Sequence, residues 1–360
     1  RVAPDVPFGV GLRLSALAAA ELTAPAELAE LQKFLQREEL YVFTINGFPY
    51  GEFHGVPVKE NVYLPDWRDE QRLTYTNLLA DILAALLPES VDSGSVSTVP
   101  CAFKSNVTDD AVVEAMAERL VRHVAYLVRL RERSGRTIVL ALEPEPACFL
   151  ETIAETVAFF REHLFAKASV ARLCALTGLD GAAARAALHA HLGVCLDLCH
   201  AAVEFEDART AVDTLRTAGI AIAKMQISAG LRVERVAAQT AAPLRAFDNG
   251  VYLHQVVERN RHGLQRYVDL APAFDTLASD VEREWRVHFH VPIYRADLGP
   301  FTTTQPFLVE MLALHRERAI STHLEIETYT WGVLPAEHRS DDIVAGIARE
   351  MEWVLWQLAA

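Results

Sequence analysis

The sequence predicts an α/β fold, a (β/α)8 barrel of the TIM type, on three observations. Short runs rich in Val, Ile and Leu alternate with longer stretches of helical composition, the pattern of strand–helix units around a parallel sheet. Several runs are apolar at nearly every position, as strands buried on both faces of such a sheet are. No GxGxxG or GxxxxGK turn follows any run, so the nucleotide-binding versions of the rival open, doubly wound sheet lose support.

The elements follow in order. Residues 8–14 (FGVGLRL) form a strand, followed by an Ala/Leu/Glu-rich helical stretch to about Glu39. Residues 40–46 (LYVFTIN) form a strand by β-branched and aromatic content, and open into 47–51 (GFPYG), a loop by its Gly and Pro. Asp66 is placed to cap a helix that ends before Pro88. A weaker strand occupies 95–99. Thr108, Asp109 and Asp110 open a helix that runs to Gly135, with Arg129, Arg131 and Arg133 near its end; both charge placements suit the helix dipole. Residues 137–142 (TIVLAL) form a buried strand ending at Glu143, and Thr152 with Glu155 makes a capping-box pattern. Two Ala-rich helices divide near Gly178 and Gly181. Residues 193–196 (GVCL) end at Asp197, and 220–225 (IAIAKM) end at Gln226. Residues 287–291 (VHFHV) and 322–326 (THLEI) complete eight strands. The stretch of roughly 231–286 is too long for one loop. It reads as an insertion before the last strands, within one barrel domain spanning 1–360.

Composition narrows the partners. Asp and Glu total 48 against 34 Lys and Arg, a net charge of −14, which argues against nucleic acid and against docking on an anionic membrane. No apolar stretch reaches the ~18 residues of a spanning helix, so stable membrane insertion is not expected. No signal peptide is present, although the first residue is Arg1 and not Met. Cys101, Cys148, Cys174, Cys195 and Cys199 form no CxxC pair and read as reduced thiols of a cytoplasmic protein.

The chemistry is expected where the apolar strands stop, because the C-terminal strand ends of a barrel form one face. The polar residues there are Asn46, Glu143 with Glu145, Asp197 with His200, Gln226, His288 with His290, and Glu325 with Glu327. Carboxylate, imidazole and amide oxygen together form a divalent-metal set. Two prolines stiffen the turn that carries Glu143 and Glu145. His288 and His290 alternate with apolar residues and share a face, as do Glu325 and Glu327. His290 and Glu327, nearer their strand ends, are the preferred members. Two inward carboxylates on one strand are costly to bury without a cation or a basic partner. His254 lies in the insertion and is a weaker candidate. Arg13 and Lys224 sit on strands, where an anionic substrate group and a core-edge ion pair explain them equally well. No Gly-x-Ser-x-Gly elbow appears.

Glu143, then 193–200 (GVCLDLCH), then Glu327 resemble the xylose-isomerase-like barrel superfamily of sugar isomerases, ketose 3-epimerases and endonuclease IV-type phosphodiesterases. The resemblance implies metal ligands at Glu143, Asp197 and Glu327, with Gln226 standing where a His is expected. Residues 41–51 (YVFTINGFPYG), 252–255 (YLHQ), 287–292 (VHFHVP) and 323–331 (HLEIETYTW) are similar to the metabolite traffic protein EboE family. That resemblance implies a TIM-like barrel serving a small-metabolite biosynthesis or traffic pathway. It also implies a further strand ahead of Phe8, which these residues do not present.

The expected function is a metal-dependent isomerase or epimerase of a sugar or cyclitol-like polyol. Glu143, Asp197, Gln226 and Glu327 would hold a divalent ion (Mn, Mg, Co or Zn), with Glu143 and Glu327 moving the proton. Asn46, His200, His254, His288, His290 and Glu325 would contact the substrate or support the ligands. The rivals are a metabolite-binding or carrier protein without chemistry, and an endonuclease IV-like metal phosphodiesterase. A homo-oligomer stays open.

Overall fold

The computed structural model describes residues 2, 5–51, 58–248, 250–277, 282–335, 338 and 342–360; Arg1 lies outside them. Its centre is a parallel sheet of seven strands in the order β1 (Phe8–Arg13), β2 (Leu40–Asn46), β3 (Ser93–Thr98), β4 (Thr137–Leu142), β5 (Leu192–Asp197), β6 (Ala221–Ile227) and β13 (Leu324–Ile326). With helices alternating between the strands, the sheet curls into a nearly closed barrel, as the sequence predicts. No ladder joins β1 to β13, the two ends of this order. The Glu325 side chain crosses to β1 instead, and a Cβ on Gly11 would lie 1.6 Å from its Oε1. Only a residue without a side chain fits there.

Local chemistry sets the element ends. Asp109 caps Asp110–Ser134 by accepting from the Val112 N–H, and Gly135 closes that helix at φ +73°, a left-handed conformation that glycine adopts without strain. Thr152 and Glu155 form the capping box of Ile153–Phe159. Glu70–Leu86 is capped by Asp69, not by Asp66. Both oxygens of Asp66 are held instead by the Arg68 guanidinium. All six residues of β5 are buried, as strands covered by helices on one face and barrel lumen on the other must be.

One strand differs from expectation. Residues 287–291 belong to β10 (Arg283–Val291) of a second, antiparallel sheet and not to the barrel. That sheet has the order β11 (Asp297–Leu298), β12 (Phe301–Thr303), β7 (Ala229–Val233), β10, β8 (Val256–Asn260), β9 (Gly263–Tyr267). The cause is occupancy of the ladder. The outer edge of β6 is taken by β13, with Leu324 opposite Met225 and Ile326 opposite Ile227. The chain leaving β6 continues through Ser228 into β7, and β10 runs antiparallel to this continuation, Val291 opposite Ala229. The second sheet thus rises from the C-terminal rim of the barrel and carries its histidines over the mouth.

The lumen below the mouth is polar but paired. The Lys224 ammonium is fully buried and bridges to Glu325, so the ion-pair explanation of Lys224 is the observed one. His323 meets Ser95 at 2.9 Å and packs edge-on against Phe43. Among the described residues no helix is long and apolar enough to cross a membrane.

Candidate metal centre

A cavity of about 900 Å3, measured to its open mouth, lies at the C-terminal strand ends. Its polar end is formed by Asn46, Glu143, Glu145, His200, His288, His290, Glu325 and Glu327, and its rim by Phe48, Tyr63, Leu253 and Tyr329 among others. Asp197, Gln226 and His254 do not line it. His254 is buried against the Phe289 ring, 5.0 Å centroid to centroid, outside the group of converging side chains.

Three of the strand-end carboxylates come together. Donor oxygens of Glu143, Asp197 and Glu327 lie within 4.8 Å of one another, although they follow β4, β5 and β13. Glu143 is fixed by its N–H donating to the Thr98 carbonyl, and Glu327 by its N–H donating to the Ile227 carbonyl. Asp197 ends β5 and caps the next turn: its Oδ1 accepts from the His200 N–H at 2.9 Å and from Ser228 Oγ at 2.8 Å. Asn46 donates to Glu327 Oε1 at 3.0 Å. Glu143 Oε2 and Asp197 Oδ2 remain buried with no partner.

Such a cluster is unstable as bare charge. Burial, with the neighbouring carboxylates adding to it, pushes Glu143 up to about 8 and Glu327 well above the ordinary carboxylate range. Asp197 goes the other way: burial raises it, but His200, His290 and its hydrogen bonds hold it below its usual value. His200 is raised despite burial, because Asp197, Glu145 and Glu143 face it. Two orphaned carboxylate oxygens in a convergent three-acid set fit a divalent cation of the Mg or Mn kind. Gln226 accepts from the Cys195 thiol at 2.9 Å through its amide oxygen and leaves its amide nitrogen buried without a partner. Exchanging the two amide atoms lets nitrogen donate to sulfur and frees the oxygen, a cation ligand.

Glu145 points to a different neighbourhood. It accepts from Tyr63 Oη at 2.7 Å and lies 3.6 Å from His288 Nδ1. Glu325 belongs with Lys224 in the layer below. Sequence reasoning missed Ser228, which holds Asp197, and Tyr63 and Gln255, which are bonded to each other at 2.8 Å above Glu145. Ser228 carried a usable signal, standing two residues beyond Gln226 on the same extended segment; Tyr63 carried none.

No family model and no curated protein matches the sequence. Solved structures do. A xylose isomerase-like TIM barrel protein from Mycobacterium smegmatis in complex with magnesium is 13% identical, with 93% of this chain and 78% of that chain covered and a TM-score of 0.46. The probable 3-DHS dehydratase AsbF of Bacillus anthracis is 11% identical over 96% of this chain and 88% of its own, with a TM-score of 0.43. The 3-keto-D-glucoside 4-epimerase YcjR of E. coli is 13% identical over 98% of this chain and 100% of its own, with a TM-score of 0.41. These are likenesses of chain arrangement and give no account of this chain's chemistry.

Proposed function

We propose that the chain is a divalent-metal-dependent isomerase or epimerase of a sugar or cyclitol-like polyol. The observation that carries this reading is the convergence of Glu143, Asp197 and Glu327, two of whose oxygens are buried without a partner, where Glu143 and Glu327 line a cavity. Those three residues, with Gln226, would hold the cation. When bound, it would polarise a substrate carbonyl and its neighbouring hydroxyl. The side chains supply the rest. Glu143 comes from β4 and Glu327 from β13, on opposite sides of the barrel. One can remove a proton beside the carbonyl while the other returns it. His200 Nδ1 lies 4.0 Å from Glu143 Oε1 and is bonded to the Pro144 carbonyl, which fixes the ring beside the base. Asn46 orients Glu327 through its hydrogen bond. The rim aromatics Phe48, Tyr63 and Tyr329 limit water around the bound substrate.

The same proposal takes the chain as one unit, since both sheets lend residues to one cavity. It places that unit in a small-metabolite pathway, as the family resemblance implies, because the segments quoted for it border the cavity. Five free cysteines suit a reducing, cytoplasmic compartment. A second reading, metabolite binding without turnover, is favoured by Gln226, a neutral amide whose oxygen faces a thiol. The test is solvent exchange: metal-loaded protein is incubated with ketoses, aldoses and ketocyclitols in deuterated water. Deuterium entering beside the carbonyl, lost in Glu143→Gln, upholds the enzyme. Saturable binding with no exchange upholds the carrier.

A further inference from the structure

The turn that follows β4 divides two cavities. Glu143 and Glu145 line the one at the strand ends. Pro146 and Ala147 line a separate groove of about 920 Å3, measured to its open mouth. Gln255 belongs to the same partition. Its side-chain oxygen meets His288 Nδ1 at 2.8 Å, its nitrogen donates to the Pro146 carbonyl at 3.1 Å, and the residue lines the groove. Backbone bonds fix the wall: Ala147 donates its N–H to Glu151 Oε1 at 2.7 Å and accepts from the Lys104 N–H at 2.9 Å.

The groove has an apolar side and a charged side. Phe103, Val256 and Tyr267 form the first; Lys104, Glu151, Glu204 and Arg266 form the second. Glu151 Oε2 bridges to Lys104 and lies 3.5 Å from Arg266. Lys104 also reaches Glu155 Oε1 at 3.0 Å. Glu204 Oε2 accepts from Arg266 Nε at 2.8 Å. Two bases thus serve three acids in this network, and the shortfall lies at Glu204. That residue is 3% exposed, and its Oε1 is buried with no partner. Burial outweighs its pairing with Arg266 and pushes it up to about 7.

A carboxylate oxygen withdrawn from water without a donor is costly, and a ligand that brings the donor recovers that cost. The neighbouring bases decide which ligand. A bare metal ion needs several oxygens around it, and here Lys104 and Arg266 already occupy those of Glu151 and Glu204. An organic ammonium needs one charged acceptor, and its carbon body gains from an apolar wall. Placed polar groups in a mostly apolar concavity are the usual make-up of a small-molecule site.

We propose that this groove is a second ligand site, which binds a small organic amine with its ammonium on Glu204 and its hydrocarbon against Phe103, Val256 and Tyr267. The site stands whether or not the chain holds a metal or turns a substrate over.

The experiment titrates the full chain with 2-phenylethylamine in a calorimeter, with 2-phenylethanol and 3-phenylpropanoate as neutral and anionic probes of similar shape. Wild type is expected to bind one amine per chain, at least about tenfold more tightly than either of the other probes, the size of one charge-assisted hydrogen bond. Glu204→Gln should abolish that preference. Ser105→Trp, at an exposed position lining the groove, should block the amine while leaving Glu204 in place, and it carries the test if Glu204→Gln fails to fold. Glu143→Gln should bind the amine as wild type does. The inference is overturned if the alcohol or the acid binds as tightly as the amine, or if the amine does not saturate. It is also overturned if amine binding survives both groove variants and is lost in Glu143→Gln, an outcome that puts the amine in the other cavity and leaves the proposed function standing.

Discussion

Glu325, on β13, and Glu327, just beyond the end of that strand, line the same cavity, yet their surroundings are opposite. Glu325 reaches the buried Lys224 ammonium. Glu327 meets Asn46, Glu143 and Asp197, and no basic side chain pairs with it among the described residues. The lower layer carries its own counter-charge inside the sequence. The upper layer does not, and burial beside one another pushes Glu143 up to about 8 and Glu327 well above the ordinary carboxylate range. Glu350, which is fully buried, shows the intermediate case. Glu350 accepts from Thr328 Oγ1 at 2.7 Å and the Ile293 N–H at 3.1 Å, and burial pushes it up to about 7. A lysine, a proton and an external cation are three ways to neutralise a buried acid, and only the last makes a binding site.

The contrast can be broken from below. Lys224→Met leaves the half-buried Glu325 without its partner and should cost about 2–3 kcal/mol, read by chemical denaturation. Adding Glu325→Gln should restore most of it. In the upper layer the same kind of change should have two signs. Glu143→Gln should weaken manganese binding by at least about tenfold, since losing even a supporting partner of a ligand costs roughly 10–100-fold; equilibrium titration of the metal-free protein checks this. Glu327→Gln should raise the stability of the metal-free protein by about 1 kcal/mol, because an uncompensated acid becomes a neutral amide. A thermal melt with and without manganese should show the gain turn into a loss.

The smallest effect concerns Glu350. Its folded pKa of about 7 lies above the ordinary glutamate value, so between the two the folded state binds a proton that the unfolded state does not. Stability then falls as pH rises through that window, by an amount on the order of 1 kcal/mol. Glu350→Gln should flatten this dependence and leave the protein more stable at pH 8 than wild type, with no difference at pH 4.

Much of the site was legible because of where its residues stand along the chain. Glu143, Asp197 and Glu327 each follow an apolar strand, and parallel strands in a barrel deliver their ends to one face. Asp109, Gly135 and the Thr152–Glu155 box were legible because capping is a local exchange of hydrogen bonds. What failed was long-range. Alternation in 287–291 gives a face but not a ladder partner, and β13 had taken the place on β6. Asp66 and Asp69 both suit a helix start, and the Arg68 fork decides between them. His254 lies one residue before Gln255, a member of the cavity network, yet packs under Phe289. Tyr63 reaches Glu145 from a segment with no periodic pattern.

The central claim is that the mouth acids form a cation site, and anomalous diffraction from a manganese-soaked crystal tests it most directly. A peak bounded by Glu143, Asp197 and Glu327, with Lys224 and Glu325 still joined below it, is the predicted result. A barrel mouth without a peak at manganese concentrations that saturate surface carboxylates would contradict it.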